Sequence, residues 1–145
     1  MVLGVDTRQT GCRLGEAELF HVECDGLPCL TLVGSCCSGE LRGLIDSWCA
    51  MNPVSARRAQ RLGVVLNLER LQLRGELDDV DLLGAQMSVA GFVGRGEFAG
   101  ALRALAVTQL SAGLLRGVFT SSDPATEWVR ERAEALRRYR QWQAA

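Results

Sequence analysis

The stretch that decides the fold of this chain runs from residue 87 to residue 128. It contains two short apolar runs, Ser88-Val-Ala-Gly-Phe-Val-Gly94 and Leu114-Leu-Arg-Gly-Val-Phe-Thr120, and residues 97–110 between them have helical periodicity. A second helical pattern begins at Asp123-Pro124. Short apolar runs that alternate with helical patterns are typical of parallel strands joined by right-handed crossovers. The sequence therefore predicts an α/β fold.

A β-hairpin is predicted upstream of this stretch, between residues 16 and 33. Asp25-Gly26 is a strong turn signal, and it separates two segments, 17–24 and 27–33, whose alternation places Phe20 and Val22 on one face and His21 on the other. Residues 1–15 carry three glycines and no clear period. We expect a loose lead-in there, with room for an edge strand.

The segment after the hairpin is predicted to be a helix over residues 39–51, with Ser38 as its N-terminal cap. Asn52-Pro53 ends this helix, and residues 54–61 are interpreted as a basic connector with a solvated face. The helix presents one apolar stripe, at i, i+3, i+4, i+7 and i+8: Leu41, Leu44, Ile45, Trp48 and Cys49.

A central strand is predicted at residues 63–68, because this run is apolar with little alternation. Residues 76–85 fit either a short helix or an irregular segment. In the last helix we expect Asp123 to be the cap and Pro124 to occupy the first helical position. Its predicted inner face consists of Trp128, Val129, Leu136 and Tyr139, and Trp142 is expected to lie beyond the core.

These elements together predict a mixed sheet of four to five strands, an N-terminal antiparallel hairpin plus parallel strands, with three to four helices. A length of 145 residues indicates one domain. We divide it into a lead-in (1–15), a core (16–135) and an extension of the last helix (136–145).

Composition narrows the classes of function. The chain is 48% hydrophobic and 23% charged, which argues against disorder, and its net charge of −1 gives no general attraction to nucleic acid. It has no run of eighteen apolar residues, so no membrane span is predicted. The N-terminus lacks the basic and apolar regions of a signal peptide, so we expect a cytoplasmic protein whose six cysteines are reduced.

Three segments carry a resemblance to a known family. Val64-Val-Leu-Asn-Leu-Glu-Arg-Leu71 resembles the strand before the regulatory loop of STAS domains, the family of anti-sigma-factor antagonists and sulphate-transporter tails. Val89-Ala-Gly-Phe-Val-Gly94, and Gly113-Leu-Leu-Arg-Gly-Val-Phe119 with the Asp-Pro-Ala-Thr-Glu-Trp that ends at Trp128, are similar to the closing half of that family. The resemblance lies in element order and hydrophobic pattern, is greatest to the diverged bacterial branch, and implies a STAS-like fold with a regulatory, protein-binding role.

The chain departs from the family at the regulatory loop. Phosphorylatable STAS domains carry Asp-Ser-Ser/Gly-Gly after this strand, whereas here the sequence is Leu71-Gln-Leu-Arg-Gly-Glu-Leu-Asp-Asp79. No serine or threonine occurs between Leu68 and Gln86, so a kinase-driven switch at this loop is excluded. Glu76, Asp78 and Asp79 form an acidic run here. It is interpreted either as the solvated start of a helix or as a fixed negative charge in place of a switchable one.

No motif predicts catalysis, a cofactor or a metal. His21, the only histidine, lies near Cys24 and Cys29, but the C-x₂-C pairs of structural zinc sites are absent, and His21 and Cys24 point to opposite faces of a strand. Cys36-Cys37 precedes a helix whose dipole favours a thiolate, so one of the two could be reactive, although a small residue in a tight corner is the simpler interpretation.

Gly91-x-x-Gly94-x-Gly96 joins a strand to a helix, a place where backbone N–H groups can hold phosphate. The order of its glycines is reversed relative to the dinucleotide-binding fingerprint, and no acidic partner follows at the expected distance. The glycines are therefore interpreted as permitting a tight turn.

The site is predicted at the carboxyl ends of the parallel strands, where ligands and partners of open α/β sheets bind. The leading function is a non-catalytic regulatory or scaffold module that binds another protein or forms a homodimer. The first alternative is a carrier of a small apolar or lipid-like ligand, by analogy with lipid-binding folds that border the family, and the second is an enzyme. The candidate binding residues are Glu69, Arg70, Glu76, Asp78, Asp79, Arg95, Glu97, Ser121 and Ser122.

Overall fold

The computed structural model describes residues 12–76, 87–111 and 113–144. In them, six strands form one sheet in the order β1-β2-β3-β4-β5-β6. The strands are β1 (Cys12–Leu14), β2 (Glu16–Cys24), β3 (Leu27–Cys36), β4 (Val64–Leu73), β5 (Val89–Val93) and β6 (Leu115–Phe119). The helices of the described residues are α1 (Ser38–Met51), α2 (Pro53–Leu62), α3 (Gly96–Leu110) and α4 (Ser122–Ala144).

The predicted fold class is confirmed, with one strand more than the upper limit of the prediction. The additional strand is β1, which lies at the edge of the sheet and pairs antiparallel with β2. Among the described residues, no helix is both long and apolar enough to cross a membrane.

The hairpin of β2 and β3 has the predicted turn and register. Asp25 and Gly26 adopt φ values of 55° and 83°, the two positive values that a type I′ turn requires. Cys24 lies opposite Leu27, and every residue pair continues in step to Glu16 and Ser35. The predicted assignment of hairpin residues to the two faces is therefore confirmed.

Strands β3 to β6 are mutually parallel, and their carboxyl ends form a stepped edge. β5 pairs only with residues 64–67 of β4, whereas β4 continues beside β3 as far as Leu73. The register between β3 and β4 shifts between Thr31 and Val33, and this bulge changes which residues of β4 face each side. Residues 68–73 of β4 thus project beyond the end of β5.

Helices cover both faces of the sheet. On one face, α1 and α3 contribute Trp48 and Leu102 to the larger core cluster, where they join Leu30, Leu66 and Phe92 from the strands. On the other face, α4 packs against the parallel strands. It contributes Ala125, Val129 and Ala133 to a second cluster with Leu27, Cys29, Val65, Val89 and Val93.

Two boundaries of the helical prediction are corrected. The N-cap of α1 is Cys37 rather than Ser38, which already belongs to the helix and donates its hydroxyl to the carbonyl oxygen of Glu76 at 2.9 Å. The predicted connector at residues 54–61 is part of α2. The first helix does end before Asn52-Pro53, as predicted, but Pro53 then occupies the first turn of the next helix.

The last helix also differs from its prediction. α4 begins at Ser122, so that Asp123 lies in its first turn instead of capping it. Val129 is buried and Trp128 and Leu136 are half-buried, as the predicted inner face requires, but Tyr139 is 54% exposed. Trp142 lies beyond the core, as predicted, and is 75% exposed.

Candidate functional site at the carboxyl edge of the sheet

Polar side chains meet at the carboxyl ends of β5 and β6, next to the part of β4 that continues past β5. The guanidinium of Arg95, which precedes α3, lies 3.0 Å from the Glu69 carboxylate. The side-chain amide of Asn67 donates to Ser122 Oγ at 3.5 Å, and its oxygen accepts the backbone N–H of Glu69 at 3.1 Å. Three predicted residues, Glu69, Arg95 and Ser122, therefore lie close together, with Asn67 between them.

Asn67 is not among the predicted site residues, although the sequence holds a signal for it. It is the one polar residue within the apolar run of residues 64–68. A polar residue in such a strand needs hydrogen-bond partners, and Asn67 finds them at the point where the step in the sheet opens.

A groove with a volume of about 570 Å³ lies between the projecting end of β4 and the first turns of α3. Its apolar lining includes Leu71, Leu73 and Phe98, and the carboxylates of Glu76 and Glu97 lie along it. Both acids are exposed. The groove thus combines an apolar floor with acidic rims.

The remaining predicted residues are distributed around this edge. Arg70 is exposed, and it pairs with Val33 in the register of β3 and β4. It lies on the same face of the sheet as α4. Ser121 is exposed immediately before α4. Residues 77–86 lie outside the described part of the chain, and Asp78 and Asp79 are among them. The predicted short helix at residues 76–85 lies there too, except for Glu76.

The corner between β3 and α1 is held by one carboxylate. Glu40 accepts the backbone N–H of Cys37 at 3.0 Å, and Arg74 contacts Glu40 at 2.6 Å while donating to Ser35 Oγ at 3.1 Å. This arrangement satisfies an N-terminal helix donor and ties the end of β4 to α1. The hydrogen bond from the Cys37 N–H, with a smaller contribution from Arg74, holds the pKa of Glu40 below its usual value.

Glu40→Gln is expected to destabilise the protein at pH 7, and the difference from wild type should shrink in acid. A carboxyl whose pKa is lowered by folding stabilises the fold above its unfolded pKa of about 4.3 and loses this contribution as pH falls through the lower folded value. Thermal denaturation from pH 7 to pH 3 measures it. A wild-type advantage that stays the same from pH 7 to pH 3 would contradict the assignment.

The adjacent cysteines of this corner differ in setting. Cys36 is fully buried, and burial raises the pKa of its thiol, which makes it a poor nucleophile. Cys37 is half-buried at the start of α1. All cysteines whose side chains the structure describes are free.

His21 is buried on the face of the hairpin that α1 covers. Its ring meets the edge of Trp48 with centroids 5.3 Å apart, and its Nε2 lies 2.9 Å from the Glu23 carboxylate, which also pairs with Arg58. Burial raises the pKa of Cys29. The described residues contain no group of three His, Cys, Asp or Glu side chains placed to hold a metal.

A second groove, of about 480 Å³, was not predicted and lies at the opposite end of the sheet. Leu27, Leu62 and Ala133 give it an apolar floor, and Arg130 crosses from α4 to donate to the carbonyl oxygens of Cys24 and Asp25 at 3.2 and 3.3 Å. Arg130 thus links the hairpin turn to α4 by hydrogen bonds. Nothing in the sequence pattern signals this groove.

No family model and no curated protein matches the chain. Among solved structures, the chain is similar to an uncharacterized protein of the DUF3478 family with a SpoIIAA-like fold from Shewanella loihica. The two are 15% identical, with a TM-score of 0.48, and the alignment covers 81% of this chain and 97% of that chain. This similarity is one of structure, and it extends to no activity, ligand or partner of this chain.

Proposed function

We propose that the chain is a non-catalytic regulatory or scaffold module that binds another protein through the carboxyl edge of its sheet. The observation that carries this proposal is the groove between β4 and α3, in which Glu76 and Glu97 flank an apolar floor. Such a groove suits a protein segment that combines basic and apolar side chains. Because the charge is fixed rather than added by phosphorylation, binding is constitutive.

The chemistry of the edge supports binding rather than catalysis. The Arg95 guanidinium is already paired with Glu69, and Asn67 and Ser122 hydrogen-bond to each other. No nucleophile with an adjacent base is assembled among the described residues of this edge, which is the arrangement that acyl or group transfer requires.

A carrier of a small apolar or lipid-like ligand needs a cavity that removes most of the ligand surface from water. The groove beside β4 and the groove beside Leu27 are both open to solvent, which suits a protein surface better. Native mass spectrometry of freshly purified protein separates the two functions, because a retained small ligand adds a small defined mass to the chain, whereas a protein partner adds the mass of a whole second chain or is absent after purification.

The partner-binding site is tested by charge removal. After the partner is isolated from the native host, Glu76→Gln with Glu97→Gln is expected to lower the association rate by about threefold to tenfold at low salt, with less effect at high salt. Arg95→Ala removes a positive charge from the same edge and frees the Glu69 carboxylate, so it should raise the association rate at low salt. Thermal stability should stay unchanged, because an exposed ion pair contributes little to stability. Stopped-flow or surface-based kinetics measure the rates.

A matched control separates the position of the charges from net charge. Asp25→Asn with Asp46→Asn also removes two exposed carboxylates, but from the hairpin turn at the opposite end of the sheet and from α1. This control is expected to bind like wild type. If it abolishes binding while Glu76→Gln with Glu97→Gln has no effect, the site lies elsewhere on the protein.

A further inference from the structure

Helix α4 carries a surface stripe that the proposed partner site does not use. The stripe consists of Trp128, Arg132, Ala135, Tyr139 and Trp142, at spacings of 4, 3, 4 and 3 residues. This spacing keeps side chains on one side of a helix over four turns. Arg132 and Ala135 are exposed, and Tyr139 and Trp142 are 54% and 75% exposed.

The stripe lies on the side of α4 that faces the β6 edge of the sheet. The Trp128 ring lies 5.6 Å from the Phe119 ring of β6, and the Arg132 guanidinium lies 5.8 Å from the Trp128 ring. From the other face of the sheet, the end of α3 brings Val107, 74% exposed, and Leu110, 58% exposed, to the same edge. An open groove of about 330 Å³ lies between α3 and α4. Its lining includes Val107, Leu110, Trp128 and Arg132.

The charges of α4 are separated along its length. Residues 122–131 contain three acids and one arginine, for a net charge of −2. Residues 132–144 contain four arginines and one acid, for a net charge of +3. Two such helices repel each other when they lie parallel and attract each other when they lie antiparallel.

We infer that the α4 stripe is an interface for a second copy of this chain, with the two α4 helices antiparallel about a two-fold axis near Ala135. Ala135 is the central and smallest residue of the stripe, so the helices approach most closely there. The Tyr139 and Trp142 rings, stacked with centroids 6.4 Å apart, then extend toward Trp128 of the other copy, and each acidic half lies beside a basic half.

The geometry is self-complementary, as a two-fold interface requires. Glu131 and Arg138 flank the stripe on the same side and are nearly equidistant in sequence from Ala135. In the antiparallel arrangement, Glu131 of each copy therefore faces Arg138 of the other. Aromatic side chains with an arginine at the seam form the kind of anchor that dominates binding energy in protein interfaces.

Sedimentation velocity on the full chain, from about 1 µM to about 500 µM, tests the interface. A monomer–dimer equilibrium is expected, and Ala135→Glu and Trp142→Ala should each raise its dissociation constant at least about tenfold. Ala50→Glu, the same change at an exposed position of α1, should leave it unchanged. Thermal denaturation at low concentration should show all three variants folded like wild type.

The orientation is tested by charge reversal. Glu131→Arg and Arg138→Glu should each weaken the dimer by about threefold to tenfold, and the two changes in one chain should restore wild-type affinity. A double variant that dimerises no better than either single variant overturns the antiparallel geometry. A wild-type chain that stays monomeric throughout, or a dimer that Ala135→Glu leaves intact, overturns the interface itself. Neither result affects the partner site at the carboxyl edge, which rests on different residues.

Discussion

Replacing Trp48 by alanine is expected to destabilise the protein by about 3–5 kcal/mol, because the change removes the largest fully buried side chain and leaves a cavity. Trp48 is 0% exposed and belongs to the larger core cluster, where it secures α1 to the hairpin through its contact with His21. A close-packed core refills such a space only in part. Equilibrium unfolding in urea, with the slope checked for two-state behaviour, measures the loss.

Two further tryptophan variants calibrate this result. The indole N–H of Trp48 is buried without a hydrogen-bond partner among the described residues, so Trp48→Phe removes an unsatisfied donor and should cost clearly less than alanine. Trp142→Ala should change stability by less than about 0.5 kcal/mol when measured at concentrations that keep the chain monomeric. A loss for Trp142→Ala as large as that for Trp48→Ala would place Trp142 in the core of the monomer.

The sequence predicts the hairpin and α1 well, because both depend on local signals. Asp25 and Gly26 supply the two positive φ values of the turn, which fixes the pairing of the strands on either side. The apolar stripe of α1 is so regular that Leu41, Leu44, Ile45 and Trp48 are all buried. Local conformation and burial indicate the same structure in both elements.

Helix α2 was missed because its buried face consists of alanines. Ala56 and Ala59 are its buried residues, and such small side chains contribute little to a hydrophobic pattern beside Arg57, Arg58 and Arg61. The preceding Asn52-Pro53 signals the end of α1. A proline that ends one helix is also well suited to the first turn of the next.

The candidate site was predicted in part, for a reason that concerns strand register. Glu69 and Arg95 were both expected at the carboxyl edge and form an ion pair there. The early end of β5 and the bulge opposite Val33 were not predictable from residue types, because register in parallel strands depends on contacts between distant segments. The step in the sheet, which opens the groove lined by Glu76 and Glu97, follows from these two features.

Gly34→Ala is expected to be as damaging as the loss of Trp48, although it adds only one methyl group. Gly34 lies inside β3 with φ +104°, and a Cβ atom built there lies 2.1 Å from the backbone carbonyl oxygen of Glu16. That oxygen belongs to the paired strand β2, so relief requires β2 and β3 to separate. Backbone strain and overpacking together predict a loss of about 2–6 kcal/mol, which chemical denaturation measures.

Two other glycines separate the causes of this effect. Gly26→Ala has the same kind of positive φ, +83°, but no atom within 4 Å of the added methyl group, so it should lose only the part due to strain, about 1–2 kcal/mol. Gly100→Ala, exposed within α3 with nothing nearby, should instead stabilise the protein by about 0.5–1 kcal/mol. Equal losses at Gly34 and Gly26 would show that strain alone acts at Gly34, and that β2 and β3 are less closely apposed there than the contact with Glu16 implies.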